Sequence, residues 1–321
     1  MNRDIGCDPK RGPSQYFCDS VSSLVTSGSG HAQHYFMDYV SRYGNGSVGE
    51  NLVKLCQQIK PDFIYYLPIQ DLTYHAVNVP VETLLHLRER MKIPVMTAIG
   101  DAWLYDRERL HQTRIFSEFS DRIIIGEPRS PACNDPYLAP KLLKLWFPRD
   151  AVLFTPTDGK RDIPLSFIGS VEGYVDRKAG LAELKKLGVF PAYFGSKNGQ
   201  YELTFAQIAD LYRRSKMTIS FTRIGNSYPI RGRVWEALLS GCLLFEEVGS
   251  SAEEFFVPNV DYIPFESIND LAEKIVYYQE HPDEAEMIAQ HGMAVARDKY
   301  SVSRYWDSVF QAVETARDKW Q

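Results

Sequence analysis

The 321-residue chain predicts an α/β fold made of two Rossmann-like domains facing one another across a cleft. Three observations carry that reading. Short β-rich runs alternate with longer stretches of helical periodicity, the pattern of parallel sheets with crossover helices. The chain is longer than one core ordinarily fills, so two domains are expected. The alternation also restarts after TPTDGKRD (155–162), a polar stretch bearing proline and glycine that reads as a linker. The expected division is 1–154, 155–300, and a final helix over 301–321 that crosses back onto the first domain.

In the first domain, residues 14–28 read as a helix ending at glycine, and HAQHYFMDYV (31–40) contains a strand. VGENLVKLCQQIK (48–60) is an amphipathic helix with Leu52, Leu55, Cys56 and Ile59 on one face. Pro61 opens the strand DFIYYLP, and residues 81–91 form the next helix. IPVMTAIGD (93–101) and DRIIIGEP (121–128) are strands ending in turn-forming residues, where α/β sheets carry their sites. The segment before the first helix is a poor strand, so this domain is expected to lack its first strand or to have an irregular one. KLLKLWFPR (141–149) can be read as a membrane-touching patch, but its Leu, Trp and Phe read rather as packing at the domain junction.

In the second domain, PLSFIGS (164–170) and FPAYFGS (190–196) are strands with glycine exits, separated by a helix over 178–188. TFAQIADLYRRS (204–215) is a helix whose apolar face is Phe205, Ile208, Ala209 and Tyr212. The strand KMTISFT (216–222), the helix VWEALLSG (234–241) and the strand CLLFEE (242–247) follow. Ser267 and Asp270 have capping-box spacing at the start of a helix over 267–281, and helices at about 283–298 and 302–318 finish the chain.

Composition narrows the partners. A 44% hydrophobic and 24% charged chain is ordinary for a globular protein, and a net charge of −5 argues against a nucleic-acid partner. Cys7, Cys18, Cys56, Cys133 and Cys242 are odd in number and never in a CxxC pair, which speaks against a disulfide framework or a zinc site. The start lacks an apolar signal core, and no apolar run is long enough to cross a bilayer. A cytoplasmic protein without a transmembrane segment is expected.

The segment PIRGRVWEALLSGC (229–242) poses an electrostatic problem. Arg231 and Arg233 stand at a helix N-terminus, where the macrodipole favours anions. A phosphate or diphosphate between them would turn the amides, the dipole and both guanidinium forks favourable. Solvated arginines paired with surface carboxylates are the plain alternative. Glu236 lies in a helix apolar almost all round and needs a partner. That partner could be Arg233 one turn back, backbone amides, or the hydroxyls of a ribose.

Together with VPNVDYIPFESINDLAEKIVYYQEHPDEAEMIAQHG downstream, this segment resembles group 1 glycosyltransferases of the GT-B fold, and is most similar to the spore-maturation (CgeB-like) branch. The matching positions are Arg233, Trp235, Glu236, Ala237 and Gly241, then Asp270, Leu271, Lys274 and Ile275, then Ile288, Ala289 and Gly292. SFIGS with Arg177, and YFGS, match further upstream; the likeness is good over about 160–300 and loose over 45–150.

The resemblance implies a metal-independent, hexosyltransferase-like enzyme without a cofactor, whose donor is a nucleotide-diphosphate sugar. The second domain would hold the donor and the first an unknown acceptor. Glu236 would take the ribose hydroxyls, Arg231, Arg233 and Arg177 would lie on the donor side, and Gly169 and Ser170 would let the backbone approach the donor. Gly195 would lie near the base. Where many retaining members carry a second glutamate, eight residues before Glu236, this chain has Tyr228, so stereochemistry is not assigned. Asp101 is the first choice for a base, with His31 and Asp71 next on the acceptor side; Asp101 at a strand exit could equally cap the following helix. No acidic pair at a strand exit suggests a metal. A nucleotide-sugar epimerase of the same fold and a non-catalytic sugar-nucleotide-binding module are the rival readings.

Overall fold

The computed structural model describes residues 31–33, 35, 45–68, 78–100, 107–172, 174–195, 203–224 and 227–320. The helix expected over 14–28 and most of the strand expected over 31–40 lie outside them. The described residues fall into two compact units, one ending at Phe147 and resuming at Ser303, the other running from Pro148 to Val302.

The first unit contains helix α1 (Val48–Ile59), strand β1 (Ile64–Tyr66), α2 (Val81–Glu89), β2 (Val95–Ile99), α3 (Arg107–Phe119), β3 (Arg122–Ile125) and β4 (Leu142–Lys144). The second contains β5 (Ile163–Ile168), α4 (Val175–Lys186), β6 (Ala192–Phe194), α5 (Phe205–Arg214), β7 (Ser215–Ser220), α6 (Gly232–Leu239), β8 (Leu243–Glu247), β9 (Ile263–Phe265), α7 (Ile268–Glu280) and α8 (Pro282–Lys299). Helix α9 (Val302–Asp318) ends the chain and lies, but for its first residue, in the first unit.

In the first unit the described strands form one parallel sheet in the order β1-β2-β3-β4. Every residue of β2 is buried, as expected of a strand covered on both faces. Helix α1 starts at Ser47, whose hydroxyl accepts from the Glu50 amide at 3.2 Å while Glu50 accepts from the Ser47 amide at 3.2 Å. Leu52 and Cys56 are buried, but Ile59 is 45% exposed. Ile59 is the last helical residue, and the left-handed Lys60 (φ 48°) turns the chain away just after it. The tract at 141–149 was expected only to pack, yet Leu142–Lys144 supplies strand β4. Three residues are too few to display a period of two, so the run carries no strand signal.

Asp121 organises the sheet's entry edge: its carboxylate accepts from the Val95 amide and from Arg88 Nε, both at 2.9 Å. Helix α9 packs against β1 and the residue before it, Phe63 against Phe310 and Tyr65 against Trp306, with ring centroids 6.0 and 5.2 Å apart. The Tyr65 and Tyr305 hydroxyls meet at 2.5 Å. Burial drives the Tyr65 phenol well above its usual range, so this contact is between neutral groups.

In the second unit the five parallel strands are ordered β6-β5-β7-β8-β9. The chain moves outward from β5 to β6, then returns to the other side of β5 with β7. This is the doubly wound order whose winding reverses between its first and third strands. The crevice beyond the carboxyl ends of β5 and β7 is therefore the position where such a sheet offers a site. The core beneath it gathers Phe167, Leu184, Ile219, Phe245, Phe265 and Leu271, all at most 3% exposed.

Two local details differ from the sequence expectation. Asp270 does accept a backbone hydrogen bond, but from Glu266 rather than from the cap residue Ser267, so the capping is not reciprocal. The stretch expected to be a linker is anchored within the second unit. Arg161 donates to the Ser215 carbonyl at 2.6 Å and to the Ser240 carbonyl at 2.7 Å, placing a cation at the C-terminus of α6.

The glycines that ended the matched motif also acquire a reason. Gly241 closes α6 with φ 63°. At Gly292 a Cβ would stand 2.2 Å from the Asp261 carbonyl and 2.9 Å from Leu238, so helix α8 touches its neighbours through bare backbone. Gly292→Ala is expected to destabilise the second unit by about 1–3 kcal/mol, the usual cost of overpacking a rigid contact. A lowered urea midpoint for that unit checks it.

Candidate nucleotide site at the second sheet

The carboxyl end of β5 delivers Gly169 and Ser170, and that of β7 leads through Thr222 and Pro229 into α6. Gly169 has φ 152°, and a Cβ there would lie 2.8 Å from Nη2 and 3.0 Å from Cζ of Arg233. The guanidinium is therefore laid flat against the glycine backbone, where any side chain would displace it. Its carbon also stands 5.4 Å from the centroid of the buried Phe167 ring, a cation–π approach. Arg233 Nη1 is buried and finds no hydrogen-bond acceptor among the described residues. A buried cationic donor left in that state is costly unless something binds it.

Arg231 is the N-cap of α6, in extended conformation, and gives no side-chain cap to the helix. Its Nε and Nη2 are buried as well. The sequence reading of two arginines at a helix mouth thus describes the folded arrangement, with Gly169 meeting Arg233 from the end of β5.

Glu236 is 6% exposed, on a helix whose residues Val234 to Leu239 are all buried. Its ion pair differs from the intrahelical one considered from sequence. The carboxylate accepts from Arg149 Nε at 3.1 Å, and the pair's side chains are 9% and 7% exposed. Arg149 was not legible as a site residue. It ends the run read as a packing tract, and the two partners are 87 positions apart.

Arg177 is 3% exposed and serves the backbone. It donates to the Phe221 carbonyl at 3.1 Å and to the Ser170 carbonyl at 3.0 Å, with its guanidinium 3.7 Å from the Tyr174 ring centroid. It therefore ties the exits of β5 and β7 together. Ser170 accepts from the Glu172 amide at 3.1 Å. At Gly195 a Cβ would stand 1.8 Å from the Tyr193 hydroxyl, so that ring folds over the glycine. Tyr193 is itself stacked on Phe167 at 5.9 Å and 13°. Tyr228, at the position of the missing second glutamate, accepts through its carbonyl from the Ser251 amide at 2.9 Å.

Two acidic residues of β8 complete the setting. Glu247 accepts from the Thr222 and Arg223 amides at 2.5 and 2.6 Å, fixing the start of the loop that leads to α6. Glu246 is fully buried, and burial pushes its carboxyl up to about 8, with the Ser220 and Ser250 hydroxyls and the Arg233 charge pulling the other way. The carboxyl is thus neutral at pH 7 and leaves Arg233's charge uncancelled.

Asp101 and Asp71 lie outside the described residues. His31 is described and exposed. Among the described residues no cluster of three or more His, Cys, Asp or Glu could hold a metal ion, and no helix is long and apolar enough to cross a membrane. Cys56, Cys133 and Cys242 are free thiols.

The raised Glu246 carboxyl has a stability consequence. Its folded value lies above its ordinary one, so the folded state holds a proton that the unfolded state releases between about pH 4.5 and 8. The contribution is full below that window and is lost as pH rises through it. Glu246→Gln is expected to flatten this part of the melting-temperature profile and to raise the midpoint at pH 8 relative to the wild type. Melting curves of both proteins from pH 5 to 9 check it.

Comparison with known proteins agrees with this architecture. Residues 156–311 match the family model described as "Glycosyl transferase-like". No curated protein matches the chain in sequence. Among solved structures, HepE of Anabaena in complex with UDP and glucose is 13% identical, with a TM-score of 0.62 over 95% of this chain and 97% of that one. The same protein in complex with UDP-glucose gives 13% and 0.57 over 84% and 82%. The catalytic domain of starch synthase IV from Arabidopsis thaliana, bound to ADP and acarbose, is 10% identical with a TM-score of 0.61 over 88% and 79%.

Proposed function

We infer the function from a fold that is that of the GT-B glycosyltransferases, two Rossmann-like domains each built on a parallel sheet, with a glycosyl transferase-like domain over 156–311. We propose that the protein is a glycosyltransferase that moves a hexosyl group from a nucleotide-diphosphate sugar to an acceptor hydroxyl, and that it belongs to the spore-maturation-like branch. The observation that carries the reading is Arg233. Its guanidinium is pressed against Gly169 at the switch point of the sheet, with a buried donor lacking an acceptor among the described residues. A diphosphate there would meet Arg231, Arg233 and the amides of α6 at once.

In the proposed reaction the acceptor oxygen forms a bond to the anomeric carbon while the bond from that carbon to the β-phosphate oxygen breaks. The acceptor proton passes to a base, for which Asp101 remains the candidate, with His31 and Asp71 behind it. Negative charge grows on the departing nucleoside diphosphate. Two guanidinium groups and a helix N-terminus, already oriented, would stabilise that charge, the work a divalent ion does in other transferases. Metal-independent transfer follows from this assignment. The ribose hydroxyls fall to Glu236. Neighbours of the fold in complex with UDP, UDP-glucose and ADP support a nucleotide ligand without selecting the base.

A thermal-shift panel of UDP, GDP, ADP, CDP and TDP, with and without their sugars, should produce stabilisation by at least one nucleotide, rising with concentration. Arg233→Ala is expected to weaken that nucleotide about tenfold to a hundredfold, as befits a lost charge-assisted hydrogen bond. No stabilisation by any member, or an unchanged affinity in the variant, would overturn the assignment. Nucleotide release that never depends on an acceptor would favour the epimerase. Binding without turnover would favour the non-catalytic module.

A further inference from the structure

We propose that Arg149 is a positioning residue of the nucleotide site, setting the Glu236 carboxylate for the ribose of a nucleoside diphosphate, and that residue 232 is glycine to admit it. This rests on the reading of Glu236 as the ribose acceptor. Arg149 lies just upstream of the segment that matches the family model, so its role follows from this structure alone.

Three observations converge. The pair is buried on both sides and joined at 3.1 Å, and a carboxylate placed among Val234, Trp235, Ala237, Leu238 and Leu239 needs a fixed cation to hold it there. The guanidinium comes in over the first turn of α6, where a Cβ on residue 232 would meet Arg149 Nη2 at 2.1 Å and Glu236 Oε1 at 3.2 Å. Gly232 is not in a left-handed conformation, so its lack of a side chain serves this approach rather than a turn. The buried Tyr212 phenol also feels the charges of Glu236, Arg233 and Arg149 together, which places the pair in the neighbourhood of the proposed diphosphate arginine.

A buried ion pair that served stability alone would be replaceable by apolar groups of the same volume. Its position at the mouth of α6 gives it a second task. A carboxylate that must accept hydrogen bonds from two hydroxyls has to present its lone pairs in one orientation. A guanidinium held from one side supplies that orientation.

The test compares affinities for UDP and 2′-deoxy-UDP, with ADP and 2′-deoxy-ADP alongside because the ribose is common to both. Wild-type protein should prefer the ribose form by about tenfold or more, the worth of a hydrogen bond to a charged group. Glu236→Gln, Arg149→Met and Gly232→Ala should each bring the ratio toward one. Arg233→Ala should weaken both forms alike and keep the ratio. Gly232→Ala matters because it displaces the guanidinium tip without deleting a charge and favours the helix, so it keeps the test available should Arg149→Met fail to fold. A ratio lost in Glu236→Gln but kept in a folded Arg149→Met or in Gly232→Ala overturns the inference. A wild-type ratio near one overturns the ribose role of Glu236 and the inference with it. Failure of every nucleotide to bind is instead the failure of the donor reading.

Discussion

Guanidinium groups brought against glycine backbone at the N-terminus of α6 are the constraint on which the second unit's site depends. Arg233 can lie against the end of β5 because Gly169 has no side chain, and Arg149 can lie over the first turn of α6 because Gly232 has none. Each cation is placed where the helix already presents positive potential, an arrangement that stands only if surrounding structure enforces it. The enforcement is visible. Arg177 clamps the exits of β5 and β7 through two carbonyls, and Glu247 holds the two amides at the start of the following loop. Strain of this kind, concentrated at the switch point of a doubly wound sheet, is what a preorganised anion site requires.

Charge balance around that point is settled by environment rather than by residue type. Glu236 and Glu246 are both buried glutamates of the same unit. Glu236 meets the Arg149 guanidinium directly, whereas Glu246 is pushed by burial to about 8 and stays protonated at neutral pH. One carboxylate is therefore matched to a cation, and the other withholds its charge from Arg233. Neither carboxylate therefore cancels the Arg233 charge, although the chain's overall charge is −5. Global charge and local potential have separate origins, and an acidic protein can still present a site for a diphosphate.

Much of the fold was legible because its signals are local. The alternation of periods, the glycine exits of β5 and β6, and the apolar face of α5 are written in neighbouring residues. Even the placing of Arg231 and Arg233 at one helix mouth needed only helix geometry. What escaped was either too short or too distant. Strand β4 is three residues long, and its identity comes from hydrogen bonds to β3 rather than from pattern. Arg161 reads as part of a linker because its neighbours are turn formers, yet its side chain reaches carbonyls 54 and 79 positions away.

By itself, the sequence determined the layer architecture, the alternation of strands and helices in the second unit, and the helix mouth with its two arginines, since each follows from residues within one or two turns of one another. The tertiary structure alone decided the partners of the buried charges. Glu236 could have closed onto Arg233 one turn back, a contact its own helix offers. It closed instead onto Arg149, because the fold carries that guanidinium over Gly232 and lays Arg233 against Gly169 on the neighbouring strand. Such choices depend on which strands become neighbours and on where a side chain is missing, and no periodicity in the chain records either.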